Sequence, residues 1–169
     1  MNNKSLKFRM IKAIMTLPMM VTIVLPSILL YLTNWHLDRA QVWTVILGII
    51  CLIIGLCLVV STVKLFLTVG KGTLAPWDPT QKLVVSGPYA YVRNPMITGV
   101  VLILLAESLI FYSSALCIWA IVFACVNIIY FILSEEPGLR KRFGKEYEEY
   151  CNNVPRIVPR LTPWKRTNN

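Results

Sequence analysis

Histidine is nearly absent from this sequence and acid is scarce: one His and eight Asp and Glu stand among 169 residues, against 17 Lys and Arg. The lone His36 falls in a loop between apolar runs, and no two cysteines have metal-ligand spacing, which argues against a metal centre. Cys51, Cys57, Cys117 and Cys125 lie inside apolar runs, where a thiol behaves as a small apolar side chain; only Cys151 lies in a polar segment. Charge is missing altogether from residues 13–33 and 42–63, and between 96 and 134 only Glu107 carries any. A soluble core of this size does not leave such uncharged runs, so the chain reads as a membrane protein. No small-residue cleavage pattern follows the first run, which favours an uncleaved anchor over a signal peptide. The net charge of +9 is accompanied by no base-stacking or nucleic-acid-binding motif, so a nucleic-acid partner is not expected.

What is present is 56% apolar residues, arranged in blocks. At about 1.5 Å of rise per residue, 13–33 spans a roughly 30 Å hydrocarbon layer. Pro18 and Pro26 inside it predict a kink. The second run continues past Lys64, whose stem reaches towards headgroups, to residue 67. Residues 96–134 are too many for one helix, and Phe111-Tyr112-Ser113-Ser114 near the middle predicts a tight turn. The expected fold is therefore all-α: a single membrane domain with four spans at about 13–33, 42–67, 96–111 and 114–133, the last two a hairpin. A loop, 68–95, and a tail, 135–169, complete it.

With four spans, 16 of the 17 Lys and Arg lie on one side and only Arg39 lies opposite. The positive-inside bias makes that side cytoplasmic, together with both termini. Basic residues there also attract anionic headgroups. Oligomeric state is not legible, because Gly48 and Gly55 can serve packing within one chain as well as between chains.

Glycine and proline punctuate the 68–95 loop, with Leu83-Val84-Val85 a brief extended stretch before the Ser86-Gly87-Pro88 turn. Trp77, Tyr89 and Tyr91 give the loop apolar surface to bury. Asn94-Pro95 starts the third span, and a helix N-terminus beside Arg93 suits a carboxylate or phosphate, or else Arg93 simply anchors at the interface. Glu135 and Glu136 emerge from the fourth span, either solvated and salt-bridged or placed to meet a cationic ligand. Pro137 is expected to start a new helix. Leu139, Phe143 and Tyr147 then form the stripe of an amphipathic helix that lies on the membrane or folds over the loop. Pro155, Pro159 and Pro163 forbid helix and predict an extended strap. Glu107 lies towards the outer half, where a role in gating or helix pairing suits it better than catalysis.

The pattern Gly87-Pro88-Tyr89-x-Tyr91-x-Arg93-x-Pro95, followed by Glu135-Glu136-x-x-Leu139-x-x-x-Phe143-Gly144-x-x-Tyr147-x-x-Tyr150-x-x-x-Val154-Pro155-Arg156, resembles the isoprenylcysteine carboxyl methyltransferase family. These are integral membrane S-adenosylmethionine-dependent methyltransferases related to phospholipid N-methyltransferases. The resemblance covers roughly residues 70–160. It implies a cofactor site on the cytoplasmic face, formed by the loop and the C-terminal helix, with Gln81, Lys82, Leu83, Val84, Tyr89, Asn94, Pro95, Glu135 and Glu136 binding S-adenosylmethionine. Arg93 and Glu135 are the candidate catalytic residues.

Three residues depart from the family pattern. Asn94 stands where many members have histidine and cannot ionise. Ile97 replaces a tyrosine, and Phe131 stands where the prenylcysteine enzymes have an arginine for the substrate carboxylate. The donor half of the resemblance is therefore intact and the acceptor half open. The expected acceptor is an amphiphilic small molecule or lipid-like substrate reached from the bilayer. The alternatives are a phospholipid or amine N-methyltransferase and, from another class, a small transporter built on Glu107 or a non-catalytic scaffold.

Overall fold

Proline and glycine decide where these helices bend and where they touch. The computed structural model describes residues 18–33, 35, 41–70 and 81–165. The basic N-terminal segment, residues 13–17 of the first expected span, His36, Arg39, Trp77 and residues 166–169 lie outside the described residues. Within them every regular element is helical: α1 (Met20–Leu32), α2 (Val42–Gly70), a 3-10 turn (Gly87–Ala90), α3 (Pro95–Ile110), α4 (Ser114–Phe143) and α5 (Lys145–Asn153).

Two of these, α2 and α4, are long and apolar enough to cross a membrane; α1 and α3 are shorter apolar helices. Large apolar side chains such as Ile46, Ile50, Ile53, Ile118, Ile121 and Val126 stand exposed along α2 and α4. Apolar faces of that extent on a helix suit hydrocarbon rather than water.

Pro26 has no N–H to offer the Thr22 carbonyl, and its ring crowds that position. The preceding turn, Met20–Val24, widens to π geometry, and the helix runs on through Pro26 to Leu32. The same device appears at Phe131–Glu135, ahead of Pro137. Pro137 therefore does not start a separate helix as its position predicts: α4 passes through it and runs on to Phe143. The break comes instead at Gly144, whose φ of 52° and ψ of −128° end the helix. The expected amphipathic helix is thus the last turns of α4 plus a separate α5.

Helices α2 and α3 meet along a seam of small residues. Gly48 faces the Ala106 carbonyl and Ile110, while Gly55 faces the Gly99 carbonyl and Ile103, so the two helices run antiparallel with their backbones close. A cluster of Val100, Leu104 and Ala120 ties α3 to α4, with Val21 of α1 and Val59 of α2 packed against it. The Trp119 indole N–H on α4 donates to the Val21 carbonyl at 3.2 Å, securing α1. The turn after α3 falls at Phe111-Tyr112-Ser113, with Tyr112 at φ 46° and the Ser113 hydroxyl accepting from the Leu116 N–H. Trp35 closes that end by donating to the Phe111 carbonyl.

Candidate active site

At the other end of the bundle, the segment before α3 and the segment after α4 come together. Leu83, Val84 and Val85 form no regular structure, and the backbone N–H groups of Gln81 and Lys82 return to the Gly70 carbonyl at the end of α2 (2.8 and 3.3 Å). The chain then tightens into the 3-10 turn. Gly87 there has φ 60°, and a Cβ on it would stand 3.0 Å from Leu65 Cδ1. Tyr89 is buried with its ring stacked on Phe66 of α2, centroids 5.7 Å apart. Burial pushes its hydroxyl well above the ordinary value, and Tyr150 and the Glu135 carboxylate add to the effect, so Glu135 stands close enough to be felt.

The tail lies over this turn as the expected extended strap, antiparallel to it. The Arg93 N–H donates to the Pro155 carbonyl (3.0 Å), the Arg160 N–H to Tyr91 (2.9 Å) and the Trp164 N–H to Ala90 (2.9 Å). The Tyr150 hydroxyl reaches the Tyr89 carbonyl at 2.8 Å. Tyr147, Tyr150 and Val154 are buried together, with Leu83, Val85, Leu139, Phe143 and Trp164 against them. The aromatic stripe therefore packs on the loop, the second of its two expected placements.

Behind the strap sits a charge cluster. Arg156 grips Glu136 with two bonds, Nε to Oε1 and Nη2 to Oε2, each 2.9 Å. Arg93 Nη1 meets the same Oε1 at 2.9 Å and also donates to the Cys151 thiol at 2.9 Å. Glu136 is only 4% exposed. Burial alone would raise its carboxyl; the Arg156 hydrogen bonds and the charges of Arg93, Arg156 and Arg140 outweigh that and leave it below the ordinary carboxylate value. Burial raises the Tyr147 and Tyr150 hydroxyls, so both phenols stay neutral.

The adjacent Glu135 is exposed, since neighbouring helix positions point roughly 100° apart. The two glutamates thus divide: Glu136 ties α4 to the strap, and Glu135 feels enough burial to raise its carboxyl above the ordinary carboxylate value. Asn94 caps α3, its Oδ1 accepting from the Ile97 N–H at 3.4 Å, and Pro95 is buried at the first helical position. Gln81 and Lys82 are exposed at the edge of the junction, and Val84 is buried beneath it. Glu107 belongs elsewhere, near the opposite end of α3.

Between α3 and α4 opens a cavity of about 190 Å³. Ile97, Val101, Ala124, Ile128 and Phe131 line its body, and Asn94, Thr98, Arg156 and Ile157 complete it. The sequence alone does not mark Arg156, Cys151 or most of these lining residues as site residues; the one local signal for Arg156 is its place in the Val154-Pro155-Arg156 close of the second motif.

Residues 43–146 match the phospholipid methyltransferase family. Methanethiol S-methyltransferase 2 of Bradyrhizobium diazoefficiens is 32% identical over 84 residues, which are 48% of this chain and 30% of that protein. This chain thus matches less than a third of the length of that curated relative. No solved structure matches. The chain belongs to the phospholipid methyltransferase family, in keeping with the resemblance of its two-part signature to the related isoprenylcysteine carboxyl methyltransferases.

Proposed function

We propose that the protein is an integral membrane methyltransferase that takes its methyl group from S-adenosylmethionine and delivers it to an amphiphilic acceptor arriving from the bilayer. On this reading α1 to α4 are four spans, with both termini and the donor site on the cytoplasmic face. The observation that carries it is the junction itself: an exposed carboxylate, Glu135, and a capped helix start, Asn94-Pro95, lie at the same end of the bundle as an apolar cavity between two membrane-type helices.

The residues at the junction fit such a donor. Glu135 offers lone pairs to amino or ribose groups and a negative charge to a sulfonium, and the α3 N-terminus suits a carboxylate. S-adenosylmethionine, when bound, supplies a methyl group already activated on sulfur. The protein's task is then to align the acceptor and exclude water rather than to move protons. That agrees with Asn94, which cannot ionise, and with Tyr89, whose hydroxyl is held neutral by burial. Arg93 acts at one remove as a positioning residue, holding Glu136 and the strap against the start of α3. The family name and the relative's name bracket the acceptor between a phospholipid and a small thiol.

Glu135→Gln tests the donor site, because it keeps the shape and removes the charge. Titrating the full chain in lipid nanodiscs with S-adenosylmethionine by calorimetry should show affinity lowered by about tenfold or more, the loss expected of a charge-assisted hydrogen bond. Unchanged affinity removes Glu135 from the site.

A further inference from the structure

We propose that the strap carries an interfacial anchor, Ile157 to Leu161, that dips into an anionic lipid leaflet at this end of the bundle. This rests on the reading of α1 to α4 as spans, which sets a leaflet beside the strap.

Exposure is the first observation. Leu161 is 99% exposed and Val158 74%, as much as Leu133 on α4 at 73%. Ile157, Pro159 and Pro163 are exposed as well. Among the described residues nothing covers these side chains, and such an apolar run at the margin of a membrane domain marks a surface that leaves water. The backbone explains why they do not turn inward. The Pro155 carbonyl and the Arg160 N–H are both bonded to the loop, at Arg93 and Tyr91, and the chain bends at 156–158 between those bonds. Arg156 takes the inward place, on Glu136, so Ile157 and Val158 are left outside.

Continuity selects the occupant. Ile157 also borders the cleft between α3 and α4, beside Ile97, Val101 and Ile128. The tip therefore begins where the apolar surface of the two helices ends, which favours a lipid leaflet over a soluble protein.

Charge selects the kind of lipid. Over residues 154–165 the strap carries Arg156, Arg160 and Lys165 and no acid. Glu135, Glu136, Glu146, Glu148 and Glu149 all belong to α4 and α5, and residues 135–165 together hold seven basic residues against five acidic. Arg156 is engaged with Glu136, whereas Arg160 is held beside the tip by a bond from Nη1 to the Asn153 carbonyl, and Lys165 is exposed. Apolar side chains flanked by cations suit an anionic headgroup such as phosphatidylserine better than a zwitterionic one. The Arg160 and Trp164 N–H groups also donate to the loop, so lipid that holds the tip holds the strap in place over the turn at Tyr89.

The test places an environment-sensitive fluorophore at Thr162→Cys, beside the tip, or at Ile121→Cys, an exposed position on α4, in the full chain with its five native cysteines replaced by alanine. Nanodiscs holding one copy each contain lipid with a nitroxide either high on the acyl chain or near its end. Position 162 should be quenched more by the high nitroxide and position 121 more by the deep one. Val158→Ser combined with Leu161→Ser removes only exposed side chains and should abolish the quenching at 162. In phosphatidylserine discs the Arg160 and Trp164 amides should exchange hydrogen at least about fivefold more slowly than in phosphatidylcholine, the factor expected of one cation at an anionic surface. The double serine variant should lose that difference. Quenching at 121 without quenching at 162 overturns the anchor and leaves the spans standing. Quenching at 162 alone overturns the spans and leaves a peripheral anchor, and quenching at neither overturns both. Shielding of 162 only in discs that hold two copies assigns the tip to a contact between copies instead of lipid. Equal exchange in the two lipids overturns the anionic preference.

Discussion

At the scale of single residues, Glu135 and Glu136 show what a sequence can and cannot say. Their position at the end of an apolar helix is legible, and so is the chemical interest of paired carboxylates. Which one is buried is not, because that depends on where the strap from 155 to 164 lies, and only the fold brings Arg156 back to α4. Once it does, Glu136 is held between two arginines. Removing its charge leaves Arg93, whose side chain is 10% exposed, without a counterion. Glu136→Gln should therefore cost about 3–5 kcal/mol of stability, the usual cost of breaking a buried pair. The pH dependence follows from the same contacts. The carboxyl sits below its ordinary value when folded, so its contribution is present above the unfolded carboxylate range and lost as pH falls through the folded value. The thermal midpoint of the wild type should drop on acidification below about pH 4.3, and Glu136→Gln should show less of that drop. Equal acid sensitivity in both proteins would place the titrating group elsewhere.

At the scale of elements, the apolar runs foretell α2, α3 and the start of α4 closely, because uncharged length and helix capping are local properties. The extension of α4 through Pro137 is not foretold. Proline alone reads as a helix start, whereas the π turn at Phe131–Glu135 lets the chain carry it without ending. Nor does the spacing of Leu139, Phe143 and Tyr147 show the break at Gly144: both pieces turn the stripe towards the same cluster, so the stripe is right although the single helix is not. The seam between α2 and α3 gives the sharper test. A Cβ on Gly55 would lie 2.8 Å from the Gly99 carbonyl oxygen and 3.1 Å from the Ile103 nitrogen. Backbone does not yield as a side-chain tip does, so Gly55→Ala should force the helices apart and cost about 1–3 kcal/mol. Gly138 is the internal control, since a Cβ there meets nothing within 4 Å. Gly138→Ala should be neutral or stabilising by up to about 1 kcal/mol through helix propensity. Thermal midpoints of the two variants should move in opposite directions or differ clearly; equal small shifts would mean the seam is looser than the distances imply.

At the scale of the whole molecule, the two motifs lie far apart in sequence and meet in space, and the helices between them explain how. Strap and loop can bond at Arg93–Pro155, Tyr91–Arg160 and Ala90–Trp164 only if α3 and α4 carry the chain away and back. In a bilayer, that places Tyr112, exposed at the turn between them, on the face opposite Lys165 of the strap. On the proposed four-span topology, the positive-inside bias puts the strap side in the cytoplasm. Replacing the five cysteines by alanine and adding back one, as Tyr112→Cys or Lys165→Cys, makes the arrangement measurable with a membrane-impermeant maleimide on sealed vesicles. Right-side-out vesicles should label position 112 and spare 165, and inverted vesicles should do the reverse. Labelling of both from one side would mean that α3 and α4 do not cross the bilayer as a pair. The proposed donor site at Glu135 and the cavity beside Phe131 would then need another route to a membrane-borne acceptor, because the cleft between α3 and α4 borders lipid only when that pair spans the membrane.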